Sequence, residues 1–178
     1  MDIFICGVGK VPGMMHSHGI THVLSLLHSR ERNELVLPRG FDHNNWLFLD
    51  MDDVINEDAD FAPTLDQVRQ ILEWGKSLPK DARVLVHCLA GVSRSTSAAL
   101  ALMVQEMGVH KIDQAIEWLV DHRPIACPNP VISKHADQLL GAGGELFAKA
   151  ERVANAKLLR LYGGSAEIVA GIRNNLSQ

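Results

Sequence analysis

Four short apolar runs in the first half of the chain have the length and character of buried strands. They cover residues 3–6, 21–27, 45–51 and 83–87. Strands of a parallel sheet that is covered on both faces are apolar almost throughout, whereas half-exposed strands alternate. The pattern therefore predicts strands that are enclosed on both sides.

Apolar residues at helical spacing separate and follow these runs. In the segment after the third run they fall on one helical face: Leu65, Val68, Ile71 and Leu72. Thr64 and Gln67 can form the capping box of this helix. A second helix is predicted at about 94–107, ended by Gly108, and a third at 112–122.

Strands interleaved with helices predict an α/β fold with a central, mostly parallel sheet flanked by helices. Residues 124–130 are predicted as a loop, and the remainder as helical with breaks at 141–144 and 162–164. We expect a single domain made of the whole chain, with a core of about 1–140 and a helical C-terminal extension at 141–178.

Composition and charge exclude several classes of protein. The chain has 178 residues, is 47% hydrophobic and carries a net charge of −4, with no basic surface typical of nucleic-acid binders. Its apolar runs are far shorter than the roughly 20 residues of a membrane span, and its N-terminus lacks a secretory signal pattern. Three cysteines, Cys6, Cys88 and Cys127, predict reduced thiols in a cytoplasmic protein. We expect neither nucleic acid nor membrane as a partner.

The segment HCLAGVSRS, residues 87–95, lies between the fourth strand and the second helix. Backbone N–H groups converge in such a loop, and the helix dipole adds positive potential, so the loop favours an anion. Gly91 permits the necessary backbone angles, and Arg94 in the first helical turn is reasonable if its guanidinium binds that anion. The predicted anion site consists of Leu89, Ala90, Gly91, Val92, Ser93 and Arg94.

Cys88 lies at the base of this cradle. The amides, the dipole and the guanidinium would stabilise its thiolate, which becomes a nucleophile aimed at the phosphorus of a bound phosphate. Ser95 is expected next to the sulfur as a hydrogen-bond donor, and His87 is expected to brace the loop rather than act as a base. An inert, buried Cys88 is the alternative.

The spacing His87-Cys88-x-x-Gly91-x-x-Arg94-Ser95 resembles the signature loop of the cysteine-dependent protein tyrosine phosphatases, and HCLAGVSRS is most similar to the dual-specificity-type branch. The resemblance extends over about residues 20–140. It implies a tyrosine-phosphatase-like fold and a phosphocysteine formed on Cys88, with Ser95 helping the sulfur to leave. It implies neither a metal nor another cofactor, because the amides and Arg94 supply the positive charge.

The resemblance also implies an aspartate as general acid, and residues 48–60 offer six carboxylates. Strand alternation places Leu49, Met51 and Asp53 on one face, whereas Asp52 shares the other face with Asp50. The family pattern, apolar-x-apolar-x-Asp, also ends at Asp53. We predict Asp53 as the acid, with Asp52 or a merely solvated acidic loop as the alternatives.

Two sets of residues suggest a nucleotide or a metal ligand, but their spacing does not match the corresponding motif. Gly7-Val8-Gly9-Lys10 lacks the spacing of a nucleotide-binding loop. His16, His18 and His22 lack the spacing of a helical zinc site. We therefore predict neither a nucleotide site nor a metal site.

Several residues keep two interpretations. Asn129 matches an asparagine that braces the signature loop in relatives, or it is an ordinary turn residue. Some relatives form a protective disulfide, which here would join Cys6 to Cys88, although a plain core position for Cys6 is favoured. Three arginines either contact substrate or, as we favour, lie on the solvated surface: Arg30, Arg32 and Arg39. Residues 130–135 depart from the family pattern and leave the packing behind the loop open.

These features predict an enzyme that hydrolyses phosphate monoesters, with phosphotyrosine in proteins or peptides as the expected substrate. A phosphoinositide or RNA 5′-phosphatase on the same fold is one alternative, and a non-catalytic phospho-anion-binding module is another. The residues between Cys88 and Arg94 are uncharged, which disfavours highly charged substrates. A binding module is disfavoured because the cysteine, the arginine and the acid are all present.

Overall fold

The computed structural model describes residues 1–162, which form a four-stranded, all-parallel sheet covered by helices. Its strands are β1 (Asp2–Gly7), β2 (His22–Leu27), β3 (Trp46–Asp50) and β4 (Arg83–Cys88). Across the sheet they lie in the order β1-β4-β2-β3. The α-helices of this part of the chain are α1 (Val11–His18), α2 (Leu65–Ser77), α3 (Arg94–Met107), α4 (Ile112–His122), α5 (Pro130–Leu140) and α6 (Glu145–Tyr162). The predicted α/β fold is confirmed.

The two faces of the sheet carry separate apolar cores, because side chains alternate between the faces along each strand. On one face Cys6, Val23 and Leu85 pack with Val11 and Met15 of α1. On the other face, alternate positions of the same strands pack against the remaining helices, with Leu24, Val86, Ile71 and Leu100 among the buried residues. Both faces are covered, as the continuous apolar runs predict.

Local sequence signals account for most helix boundaries. Thr64 and Gln67 form the predicted capping box, in which the Gln67 N–H donates to Thr64 Oγ1 and the Thr64 N–H donates to Gln67 Oε1, at 3.2 and 3.0 Å. Gln67 Nε2 also donates to the Asp50 carbonyl at 2.6 Å, which ties the start of α2 to the end of β3. The predicted boundaries of α3 and α4 match the structure.

The helix α1 is the element that the sequence analysis missed. Its apolar periodicity is weak, because Gly13, His16 and Ser17 interrupt it. Pro12 in the first turn and Gly19 as the left-handed C-terminal cap were the available signals. A second small difference is Pro130, which was assigned to a loop but begins α5.

The C-terminal helix α6 packs against α4 and α5. Leu146, Ala150 and Ala154 are each only 1% exposed, and Asp137 caps the helix by accepting the N–H groups of Gly144 and Phe147. The predicted break at 141–144 is confirmed, whereas the break predicted at 162–164 extends outside the described residues. No helix of residues 1–162 is long and apolar enough to cross a membrane.

Candidate active site

The candidate site lies at the carboxyl edge of the sheet, where Cys88 ends β4 and Arg94 begins α3. We call residues 88–94 the signature loop. Parallel strands bring the ends of β1, β2 and β3 to the same edge. The segments that follow those strands therefore surround the loop.

The carbonyls of the signature loop are held from outside it. The Val8 N–H donates to Leu89 O at 3.1 Å, and the Cys127 N–H donates to Val92 O at 2.9 Å. Arg123 donates from Nε to Gly91 O at 2.8 Å and from an Nη to Ala90 O at 3.4 Å. The last carbonyl, that of Ser93, accepts from Thr96 Oγ1 and the Ser97 N–H on α3.

These outward carbonyls determine where the N–H groups point. In a planar trans peptide the N–H of the next residue is opposed to the C=O, and the described residues contain no cis peptide bond. The N–H groups of residues 90–94 are therefore directed into the loop. The Gly91 N–H, for example, donates to Cys88 Sγ at 3.2 Å. The loop is thus a ring of donors suited to a tetrahedral anion.

Two glycines permit this tight loop. Gly91 has a φ of +72°, and a Cβ there would collide with the backbone of Cys6 and Gly7. At Gly7 a Cβ would lie 2.9 Å from Leu89 O. The end of β1 is therefore a wall of the signature loop. The sequence analysis considered Gly7 only as part of a nucleotide motif and missed this role.

Cys88 and Ser95 occupy the predicted positions at the base of the loop. Ser95 Oγ lies 3.2 Å from Cys88 Sγ, at the same distance as the Gly91 nitrogen. Both residues are buried, with exposures of 0 and 1% for Ser95 and Cys88. The Gly91 N–H thus donates to the sulfur, and the Ser95 hydroxyl lies within hydrogen-bond distance of it, where either atom can donate.

Arg94 is buried and held by acceptors on one side only. One Nη donates to Glu31 Oε2 at 3.0 Å and to the Met51 carbonyl at 2.8 Å. Burial by itself lowers the pKa of Arg94, but the hydrogen bond to Glu31 and the charges of Asp53 and Cys88 outweigh it and raise the pKa. Arg94 Nε has no hydrogen-bond partner within the described residues, and the closest acid oxygen, Asp53 Oδ2, is 3.9 Å away. A donor therefore remains for a bound anion.

The sequence analysis missed Glu31. It lies in a 3-10 turn after β2, and it is 63 residues from Arg94 in the chain. The residue stands among charged side chains that the pattern assigns to a solvated segment. Only the rule that a buried guanidinium needs an anionic acceptor indicates that such a residue exists, and it does not identify which one.

The two candidate acids, Asp52 and Asp53, point to different partners. Asp53 Oδ1 accepts from Ser93 Oγ in the signature loop at 2.6 Å. Asp52 Oδ2 accepts from Arg30 at 2.6 Å instead, so this carboxylate is part of a surface ion pair. The structure brings Asp53, and not Asp52, against the loop, although β3 ends at Asp50 and strand alternation does not extend to either residue.

Asn129 joins the acid loop to α5. Its Nδ2 donates to Asp53 Oδ1 at 3.0 Å and to the Val54 carbonyl at 2.9 Å, while its Oδ1 accepts the N–H groups of Val131 and Ile132 as the helix cap. Asn129 thus positions Asp53 directly and contacts the signature loop only through it. Behind the loop, the packing left open by the sequence includes Ser97 Oγ, which donates to the Asn129 carbonyl at 3.1 Å.

His87 faces away from the signature loop. Its Nε2 lies 2.6 Å from Ser25 Oγ on the neighbouring strand, and Trp46 Nε1 donates to the same oxygen at 2.9 Å. Burial lowers the pKa of His87 to about 4, with a smaller contribution from the charge of Arg94 and an opposing one from the Cys88 backbone. His87 is therefore neutral at physiological pH and braces β4 against β2, rather than the loop itself as predicted.

The structure places the remaining candidates away from the loop interior. Cys6 and Cys88 lie on adjacent strands but in the cores of opposite sheet faces, which disfavours a disulfide between them. Arg30 pairs with Asp52, and Arg32 stacks over the Phe48 ring at 4.8 Å. Arg39 is exposed. Within residues 1–162, no three His, Cys, Asp or Glu side chains are grouped to hold a metal ion.

Comparisons with known sequences agree with this geometry. The model of the family described as "Dual specificity phosphatase, catalytic domain" matches residues 3–140. A probable dual specificity protein phosphatase of Dictyostelium discoideum is 29% identical over 126 residues, covering 68% of this chain and 29% of that protein. The chain thus spans less than a third of the length of this curated relative.

Two solved structures share the fold. The human tyrosine phosphatase-like serine/threonine/tyrosine-interacting protein superposes with a TM-score of 0.62 at 22% identity, over 77% of this chain and 89% of that one. PTPMT1 in complex with PI(5)P superposes with a TM-score of 0.59 at 17% identity, over 84% and 94% of the two chains. At these identities the likeness concerns the fold alone.

Proposed function

Because the chain belongs to the dual specificity phosphatase family, we propose that it hydrolyses phosphate monoesters, with phosphotyrosine in proteins or peptides as its substrate class. The observation that carries the proposal is the ring of inward N–H groups around Cys88, completed by the unpaired Nε of Arg94. Fixed donors of this kind stabilise the charge on the three equatorial oxygens of a phosphoryl group in transfer.

In the first step, the thiolate of Cys88 attacks the phosphorus atom. The S–P bond forms as the bond between phosphorus and the ester oxygen breaks, and that oxygen leaves with the bonding electrons. Asp53, held at the loop by Ser93 and Asn129, supplies the proton to the leaving oxygen. The products of this step are a dephosphorylated alcohol and a phosphocysteine.

In the second step, a water molecule attacks the phosphocysteine. The Asp53 carboxylate accepts the proton of the water as the new P–O bond forms, and the S–P bond breaks. Sulfur leaves as a thiolate, and the Ser95 hydroxyl, 3.2 Å away, donates a hydrogen bond to it. Inorganic phosphate is released and the starting enzyme is restored.

Glu31 and the Met51 carbonyl position Arg94 for both steps. They bind the Nη atoms and leave Nε directed toward the site. A guanidinium fixed in this way loses little conformational freedom when it binds a phosphoryl group, so more of its binding energy stabilises the transition state.

The charge around the loop supports phosphotyrosine over more highly charged substrates. Residues 89–93 carry no charge, and residues 48–60 add six carboxylates nearby. An aryl oxygen also needs less protonation to leave than an alkyl oxygen does. PTPMT1 binds PI(5)P, but at 17% identity we do not transfer this ligand to the present chain. A sparse set of three cysteines is typical of proteins that keep their thiols reduced, so we propose the cytoplasm as the location.

The test is kcat/KM on a panel at one ionic strength: a phosphotyrosyl peptide, its phosphoseryl counterpart, phosphoinositide vesicles and an RNA with a 5′-phosphate. We expect the phosphotyrosyl peptide to react fastest, with competitive inhibition by vanadate and no effect of EDTA. A phosphoinositide or RNA end that reacts about tenfold faster would overturn the substrate assignment. Loss of activity in EDTA, restored by a divalent metal, would overturn the mechanism.

A further inference from the structure

A groove of about 340 Å³ lies between α4 and α6, outside the site described above. We propose that it binds an acidic peptide segment of a partner protein, with the apolar side chains of the peptide on its floor and the carboxylates against its rim. Among the described lining residues, only Arg123 also contacts the signature loop.

One wall of the groove is a continuous stripe of α6. The lining residues of that helix recur at spacings of three and four: Lys149, Arg152, Val153, Ala156, Lys157 and Arg160. Such a stripe is one face of a helix, and at a rise of about 1.5 Å per residue it extends over about 16 Å. That length accommodates about five residues of an extended peptide.

The floor of the groove is apolar and partly open to solvent. Ile116 and Val120 of α4 face Val153 of α6, and Val120 is 42% exposed. Single exposed apolar residues are ordinary, but apolar side chains that line a groove together, as Ile116, Val120 and Val153 do, are typical of a binding surface.

The rim of the groove is basic, although the whole chain has a net charge of −4. Among the described residues that line the groove, five are basic and one, Asp113, is acidic. Asp113 is paired with Lys149, which also bonds Glu145, so these three residues together do not add positive charge to the rim. Among the described residues, Arg152, Lys157 and Arg160 have no ion-pair partner. The positive charge that remains favours carboxylates on the occupant.

The shape and composition of the groove favour a peptide over the other polyanions. A concave channel between two helices admits side chains, whereas a lipid surface is contacted by a flat or protruding apolar face. A single-stranded nucleic acid would stack its bases on aromatic side chains. The residues that line the groove include no aromatic side chain.

Arg123 connects the groove to the signature loop. It lines the groove and at the same time donates to the Gly91 and Ala90 carbonyls. A carboxylate bound in the groove would compete for this guanidinium and weaken its hold on the loop. We therefore expect an occupied groove to lower kcat, an effect that rests on the proposed phosphatase activity.

The test uses the full chain and a fluorescein-labelled octapeptide of alternating leucine and aspartate, followed by fluorescence anisotropy. We expect saturable binding that weakens as salt increases. The double variant Arg152→Glu/Lys157→Glu should bind at least about tenfold more weakly. Lys76→Glu/Lys80→Glu, which makes the same charge change beside another surface groove, is the matched control and should bind as the parent protein does.

Each other outcome would contradict the proposal. Absence of saturable binding, or an equal loss of binding in the control variant, would show that the groove is not a specific site. Tighter binding to phosphatidylserine vesicles than to the peptide, lost in the same double variant, would identify a lipid surface instead.

Turnover of p-nitrophenyl phosphate tests the connection through Arg123. Saturating peptide should lower kcat of the parent protein but not that of Arg152→Glu/Lys157→Glu. Without peptide, the double variant and the parent should have equal activity. An unchanged kcat with peptide bound would overturn the coupling. If the protein has no phosphatase activity, the proposed function is refuted. The anisotropy measurement would still test the proposed peptide-binding site.

Discussion

Cys6 and Cys88 lie at the ends of adjacent strands and are equally buried, with 1% of each residue exposed. Their surroundings differ because they occupy opposite faces of the sheet. Cys6 packs among apolar side chains, and burial raises the pKa of its thiol to about 11. Cys88 instead has the Gly91 N–H and Ser95 Oγ at 3.2 Å. The two thiols therefore have the same exposure but different neighbours, and depth of burial alone does not distinguish them.

The same contrast recurs at Asp52 and Asp53, which are neighbours in the chain. One carboxylate pairs with a surface arginine and the other accepts from the signature loop. In both comparisons, residues that are close together in the fold have different sets of partners, because their side chains point in different directions.

The largest effect on turnover is expected at the two cysteines, when Cys88 and Cys6 are each replaced by serine in separate variants. Cys88→Ser should abolish turnover of an aryl phosphate, because a serine hydroxyl in the same ring of donors is a far weaker nucleophile. Phosphate-analogue binding should persist, because the backbone cradle is intact. Cys6→Ser is the control and should keep most of the activity. Appreciable turnover by Cys88→Ser, measured with p-nitrophenyl phosphate, would refute the mechanism.

Separating the two aspartates should give the next largest effect. Asp53→Asn should lower kcat by about 10² to 10⁴ with little change in KM, the loss expected when a proton donor is removed. The basic limb of the pH–rate profile should flatten. Asp52→Asn should disturb only its ion pair with Arg30. A larger loss for Asp52→Asn would mean that the acid is assigned one residue too late.

Arg94→Lys tests whether a positive charge alone suffices beside Cys88. An ammonium cannot bond both Glu31 and a phosphoryl oxygen in the fixed geometry of a guanidinium, so kcat/KM should fall by about 10² to 10³. Arg69→Lys, at an exposed pair with Asp66, is the matched control. Equal kinetics of Arg94→Lys and the parent would show that the orientation of the fork is unimportant.

The pH dependence of folding stability tests the environment of His87, which precedes Cys88 in the chain and lies opposite Cys6 in the sheet register. Its pKa is about 4 in the folded protein, against 6.5 for the ordinary side chain, so the unfolded state takes up the proton first as pH falls. The His87 contribution is complete above about pH 6.5 and decreases by about 3 kcal/mol as pH falls to 4.

Urea unfolding between pH 7 and 4 measures this dependence. His87→Gln should lose stability at pH 7 and show a flatter pH dependence than the parent protein. His16→Gln, an exposed position on α1, is the control and should keep the parent's slope. Identical slopes for the parent and His87→Gln would contradict a buried, neutral His87.

Periodicity and local motifs were enough to predict much of the fold. The apolar runs predicted all four strands, and the capping box and Gly108 predicted where α2 and α3 begin or end. The position of Cys88 between a strand and a helix N-terminus predicted the anion-binding loop. These signals lie within a few residues of one another, so they can be recognised without knowledge of the tertiary contacts.

Only the tertiary structure decided which distant residues support that loop. Glu31 is 63 residues from Arg94, Asn129 is 76 from Asp53, and Arg123 is 32 from Gly91. Each is a charged or polar residue in a segment that reads as surface, and its partner is determined by strand order and by how α4 and α5 pack. The sequence by itself therefore determined the four strands and the loop that places Cys88 between β4 and the start of α3, because these follow from local backbone geometry. The positioning residues depend on long-range packing, which no local pattern records.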